Sequence, residues 1–308
     1  MRKKLAVAVL VLGPIVLMGA YFEWGYSQNK KVSFEGEVRQ YRLHRPIGYF
    51  GKDNLPLVVA LHGYGDSPRF MEMYSGWSAL ADREKFIVAY PYGSNAWWDK
   101  NLSWNGGSCC GVALVAQKND VGFVNQVIQD VISKYRVDVN KIYLTGFSNG
   151  SLLAYRFVTE GDSPVRALGI VAGSTGGRSL GQGEYFRINP PSDLVSLVMI
   201  HGLQDRVVPY SGGPNEYLNV KGLVRFDAFT GGVGLWRNSD GCSTQETTKT
   251  AEVEIVEWKN CSDGAQVTAY TATRLGHTWP GGLMEWLMTG RMGEFSATKT
   301  IWEFFQKI

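Results

Sequence analysis

The chain of 308 residues is 44% hydrophobic and 19% charged, a composition that excludes a disordered protein and supplies a full core. Its formal charge is +3, and without residues 1–27 it keeps 28 basic against 27 acidic groups, so nucleic acid is not an expected partner. With no internal repeat and no Pro/Ser-rich linker, one catalytic domain over 29–308 is expected behind a separate N-terminal segment.

That segment, 1–28, opens with Arg2, Lys3 and Lys4 and continues in an apolar run over 5–22, with no charge until Glu23. The layout is that of an export signal. As a helix the run reaches about 27 Å, close to the bilayer's apolar thickness, so an uncleaved anchor is the alternative. Both readings put the domain in the periplasm or outside the cell, and a membrane enters only through that anchor. Four cysteines fit an oxidising compartment. Cys242 and Cys261 flank a polar segment and are expected to pair, clipping the turn between two late strands; Cys109 and Cys110 either bond each other or pair elsewhere.

Residues 32–45 alternate as an edge strand or hairpin, and 55–61, LPLVVAL, reads as a central strand buried on both faces. It runs into His62-Gly63-Tyr64-Gly65-Asp66, a loop at the carboxyl end of a strand, where open α/β sheets place ligands. His62 reads first as a histidine that bonds its own turn, and second as a substrate contact. A helix over 70–84 and a strand over 86–90 follow. Trp97, Trp98 and Trp104 sit in a Gly/Asn-rich stretch, either as an aromatic wall for substrate or as packing beneath a long loop. Asn119 or Asp120 caps a helix whose apolar face carries Val121, Val124, Val127, Ile128, Val131, Ile132 and Tyr135.

The stretch 141–159, KIYLTGFSNGSLLAYRFVT, organises the rest. Ile142, Tyr143 and Leu144 end a buried strand, Gly146-Phe-Ser148-Asn-Gly150 makes a sharp turn, and a helix begins near Ser151. This is the G-x-S-x-G nucleophile elbow, in which flanking glycines let a serine Oγ stand exposed on a strained turn. Asn149 offers a backbone N–H to an oxyanion, and Tyr64, with Gly63 as the alternative, offers the second.

Strands over 167–172 and 194–200 come next, and the second ends in His201-Gly202-Leu-Gln-Asp205. Asp205, in the loop after a late strand, is the candidate triad acid; Asp193, Asp227 and Asp240 are less well placed. Strands over 253–257 and 266–273 precede Gly276-His277-Thr-Trp279, and a helix over 295–308 closes the chain. Of the four histidines, His44 lies in the N-terminal strand region and His62 and His201 head H-G turns. His277 alone follows the final strand. Ser148, Asp205 and His277 therefore stand in the Ser, Asp, His order of an α/β-hydrolase. Trp279 is a candidate for the acyl or alcohol pocket, or packs on the last helix. Strand and helix alternation implies an α/β-hydrolase fold with a mostly parallel central sheet flanked by helices.

The motifs L-H-G-Y-G-D-S at 61, G-F-S-N-G at 146, H-G-L-Q-D-R-V-V-P-Y at 201 and G-H-T-W-P-G-G at 276 resemble, in this order, the polyhydroxybutyrate depolymerase and feruloyl esterase group of secreted α/β hydrolases. The likeness runs from about residue 32 to the C-terminus. It implies a serine carboxylesterase with no metal or organic cofactor, acting on a small or oligomeric ester. C-C-G at 109 and D-V-G-F at 120 are also similar, although Asn119 stands where the group leads one to expect Asp. Polymer-degrading members often carry a separate binding module, which this sequence lacks. A serine peptidase of the same fold and a catalytically silent envelope binding protein are the competing readings.

Overall fold

The computed structural model describes residues 27–95, 101–160, 163–179, 184–191, 193–216, 224–290, 293 and 295–308. Trp97, Trp98 and most of the 1–28 segment lie outside them. Within them the strands are β1 (Ser27–Phe34), β2 (Glu37–His44), β3 (Leu55–Leu61), β4 (Ile87–Pro91), β5 (Val137–Phe147), β6 (Ala167–Val171), β7 (Gly176–Ser179), β8 (Phe186–Arg187), β9 (Ser196–Gly202), β10 (Gly213–Pro214), β11 (Val224–Phe226), β12 (Thr244–Lys249), β13 (Val253–Lys259) and β14 (Val267–Ala272).

The ten-stranded sheet runs β1-β2-β4-β3-β5-β6-β9-β14-β13-β12. Its centre, from β4 to β14, is parallel, and an antiparallel pair closes each edge. The mostly parallel sheet and the single α/β-hydrolase domain are as the alternation of elements implied. The reason is visible in β3: Leu57, Val59 and Leu61 enter one apolar cluster, while Val58 and Ala60 enter the cluster on the opposite face. A strand apolar at every position must be covered on both sides.

Helices Asp120–Lys134, Asn149–Thr159 and Phe229–Ser239 cover the first face, and Pro68–Ser75, Trp77–Glu84 and Ala297–Phe305 the second. The helix expected over 70–84 is thus two helices. Gly76, at φ 73°, ends one and starts the other, a left-handed conformation open to glycine. Asn119 does cap its helix, accepting from Gly122 N at 3.0 Å, and its amide donates to Glu35 at 2.6 Å.

Ser27, the first described residue of β1, is buried with its Oγ 2.8 Å from His44 Nδ1. Two features depart from the sequence reading. Cys242 and Cys261 do pair, and Cys261 lies in the turn between β13 and β14, but the bond ties that turn to the end of helix Phe229–Ser239 and does not close it across the two strands. A second sheet, β10-β11-β7-β8, is built from strands of two to four residues and lies over the C-C-G loop, where Gly107 meets the Phe186 ring.

Candidate active site

The parallel strands deliver three loops to one end of the sheet. The turn after β5 carries Ser148 at φ 53°, ψ −119°, an uncommon conformation for a non-glycine residue. Its neighbours must be bare: a Cβ on Gly146 would lie 2.5 Å from the Gly150 backbone, and one on Gly150 would strike the carbonyls of Leu61 and His62. Ser148 N donates to Val171 O at 2.9 Å, and Ser151 Oγ ties the turn to Gly146 O and Val171 O.

After β9, Asp205 folds back under its own turn, accepting from Val207 N at 2.8 Å and Val208 N at 2.9 Å on Oδ1. After β14, His277 sets Nδ1 2.7 Å from Asp205 Oδ2 and Nε2 2.9 Å from Ser148 Oγ. Both Asp205 oxygens accept, so Nδ1 carries the proton and Nε2 is the acceptor for the serine hydroxyl. Burial alone would push the Asp205 carboxyl up; the neighbouring His277 and His201 rings outweigh it and hold the group well below the usual carboxylate range. His277 packs on Phe147, with ring centroids 5.0 Å apart.

Tyr64 and Asn149 also reach this end. A Cβ on Gly63 would lie 3.6 Å from Ser148 Cβ, so the loop after β3 runs beside the serine. Among the described residues, neither Tyr64 N–H nor Asn149 N–H meets a hydrogen-bond acceptor. Asn149 starts the elbow helix, where N–H groups have no intrahelical partner and favour negative charge.

The three expected substrate contacts are placed in the interior instead. Trp104 is fully buried, donating Nε1 to His62 O at 2.9 Å. His62 is buried against it; its Nε2 accepts from Gly93 N at 3.1 Å, which puts the proton on Nδ1, facing Gly63 O at 2.7 Å. Burial pulls this imidazole down to about 4, and it is neutral. Trp279 donates to Thr298 Oγ1 at 2.9 Å in the last helix and packs on Tyr74 and Phe147. Large aromatic residues near a catalytic motif signal apolar area, and here the core takes that area.

Two features escaped the sequence. The Asn149 side chain, 2% exposed with its residue, accepts from Trp104 N at 2.7 Å and donates to Trp104 O at 3.0 Å and Cys109 O at 3.1 Å. It pins the C-C-G loop to the elbow. That loop is held from behind by Asp120, which accepts from Asn105 N at 2.8 Å and pairs with Arg39 at 2.8 Å. Cys109 and Cys110 bond each other, one of the two alternatives open in the sequence, and the unforeseen contact is the cluster of Cys109 with Leu152, Val208 and Phe226. The adjacency of the two cysteines was the available signal; nothing in sequence brings Phe226 beside them.

Comparison with known proteins agrees with this architecture. The family model described as Esterase PHB depolymerase matches residues 40–219, more than half of the chain. The chain is 23% identical over 253 residues to the bifunctional acetylxylan esterase/xylanase XynS20E of Neocallimastix patriciarum, covering 79% of this chain and 31% of that protein. It is 26% identical over 241 residues to feruloyl esterase B of Piromyces equi, covering 78% and 43%, and 25% identical to the putative esterase NocK of Nocardia uniformis subsp. tsuyamanensis, covering 82% and 74%. It thus spans less than half the length of two of these relatives. Among solved structures, the acetyl xylan esterase from Aspergillus awamori superposes with a TM-score of 0.55 at 15% identity, covering 85% of this chain and 99% of that one, a likeness of fold. By the extent of the family match, this chain belongs to the esterase PHB depolymerase family.

Proposed function

We propose that the chain is a serine carboxylesterase that works by acyl transfer through Ser148. The observation that carries the reading is the unbroken hydrogen-bond chain from Ser148 Oγ through His277 to Asp205. His277 Nε2 takes the serine proton as Oγ attacks the ester carbonyl, and Asp205 stabilises the imidazolium that forms. The same imidazolium then protonates the leaving alcohol, and His277 activates the water that releases the acyl group. The N–H groups of Asn149 and Tyr64 hold the oxyanion, each worth about 3 to 4 kcal/mol.

The buried cluster of Cys109, Leu152, Val208 and Phe226 packs the C-C-G loop against the elbow helix and the acid loop, which supports a rigid setting for the triad. Relatives named for feruloyl and acetylxylan esters and for poly(3-hydroxyalkanoate) support substrates of that range. The pairing of all four cysteines supports export to an oxidising compartment, with residues 1–28 as signal or anchor.

The test is a paired initial-rate comparison on methyl ferulate and a soluble 3-hydroxybutyrate oligomer, with Ser148→Ala as blank. A rate on either that vanishes in the variant supports the reading, and the ratio chooses the acyl class. Equal background rates on both, and on an activated acetate ester, refute it and favour a binding protein.

A further inference from the structure

The turn that presents Asp205 is closed by a second histidine. His201, one residue before the end of β9, is 1% exposed, and its Nε2 lies 2.8 Å from Val208 O and 3.4 Å from Asp205 Oδ2. Both neighbours are acceptors, so Nε2 carries a proton. Nδ1 is buried with no hydrogen-bond partner among the described residues, and the faces of the ring meet Tyr210 at 5.8 Å and Phe229 at 5.1 Å. With acceptors on the Nε2 side and no partner at Nδ1, the ring presents Nε2–H to the turn.

The bond to Val208 O has a consequence two atoms away. Val208 is the residue whose own N–H holds Asp205 Oδ1, so ring, carbonyl, amide and carboxylate form one closed loop. The His201 Nε2–H also faces, at 3.4 Å, the Asp205 Oδ2 that receives His277. A rotation of the carboxylate away from His277 therefore meets resistance on both of its oxygens.

We infer that His201 is a positioning residue for the triad, holding the 205–208 turn so that Asp205 keeps His277 in its working tautomer and orientation. This rests on the esterase reading for its kinetic consequence, though not for its geometric one. A buried histidine serving packing alone would be replaceable by any ring of like size. A positioning histidine is replaceable only by a group that presents an N–H where Nε2 stands. Gln does so, because its amide nitrogen reaches about as far from Cα as Nε2; Phe fills the space without a donor.

The experiment compares wild type, His201→Phe and His201→Gln by steady-state kinetics on an activated acetate ester and by proton NMR of the His277 Nδ1–H, with thermal midpoints measured for each. In His201→Phe, kcat is expected to fall roughly tenfold to hundredfold with KM little changed, since a small misorientation at the reacting centre acts on the transition state. The downfield His277 Nδ1–H resonance is expected to weaken or move upfield there, and to persist with most of kcat in His201→Gln. Should the Phe variant not fold, the Gln variant decides: a folded His201→Gln without the resonance overturns the inference. So does a folded His201→Phe with wild-type kcat and resonance. If no ester is turned over by any protein while the resonance still follows the donor, the esterase reading fails and the positioning role stands.

Discussion

Replacing Asn149 should damage the protein through its side chain while leaving its backbone N–H in place. In Asn149→Ala, the Trp104 N–H loses its partner in a buried site, and the carbonyls of Trp104 and Cys109 each lose one donor while keeping the Gly106 N–H. The stranded N–H costs about 1 to 3 kcal/mol and the two lost donations about 0.5 to 1.5 kcal/mol each, with water entering the vacated space offsetting part, so the loss is about 2 to 4 kcal/mol. Asn149→Asp keeps the shape and the acceptor for Trp104 N–H. It turns the donor into a carboxylate oxygen facing carbonyls that stand 3.0 and 3.1 Å from the amide nitrogen. At pH 8 the near-isosteric Asp variant should thus be less stable than the Ala variant, by about 1 to 2 kcal/mol. It should recover as the pH falls and the carboxyl gains a proton to donate. Urea unfolding midpoints at pH 8 and pH 5, with slopes checked for constancy, measure both effects. An Asp variant as stable as wild type at pH 8, or an Ala variant within about 1 kcal/mol of it, would refute the idea that this amide pins the C-C-G loop.

Further perturbations separate structural from chemical roles. Asp240 is fully buried with both carboxyl oxygens unpaired among the described residues, and burial pushes it up to about 7. A raised carboxyl pKa stabilises the fold below the unfolded value and is lost as pH rises through the folded one. Asp240→Asn should therefore gain about 2 to 4 kcal/mol over wild type at pH 8, and the advantage should vanish by pH 4; equal midpoints at both would contradict it. Trp279→Phe loses the bond to Thr298 and should lower the thermal midpoint while KM stays within about twofold; a large KM change would restore Trp279 to the substrate pocket. Replacing Cys242 and Cys261, 19 residues apart, with Ala should cost about 3 kcal/mol and leave kcat per folded molecule unchanged, as read by denaturant titration and active-site counting. A chain starting at Ser27 should melt several degrees above one starting at Lys30, because Ser27 Oγ bonds His44 and Glu72; equal melting would show that these bonds add nothing to the fold.

What the sequence made legible follows from what each signal depends on. Strands β3 and β9 are short apolar runs that must be buried on both faces, and the loops carrying Ser148, Asp205 and His277 each follow such a strand or the last one. Residue type, position after a strand and chain order were enough to bring these three residues to attention. Strand β12, TQETTK, is exposed along its whole length and shows no alternation, so only its pairing with β13 reveals it. The small sheet is made of fragments of two to four residues, too short for any period. Trp104 and Trp279 were each open between a substrate role and packing, and the fold takes the packing alternative by bringing His62 O and Thr298 Oγ1 to their N–H groups. The Asn149 side chain was invisible because its partners lie 40 and 45 residues away.

The central claim is that an ester's acyl group passes onto Ser148. The most direct test mixes the protein with an activated acetate ester, quenches within a single turnover, and maps the added mass by peptide mass spectrometry. The account predicts one acetyl group on Ser148, a matching burst of released alcohol, and neither in Ser148→Ala; with His277→Ala the label should form far more slowly. A burst with the acetyl group on another residue, or hydrolysis that persists undiminished in Ser148→Ala, would contradict it.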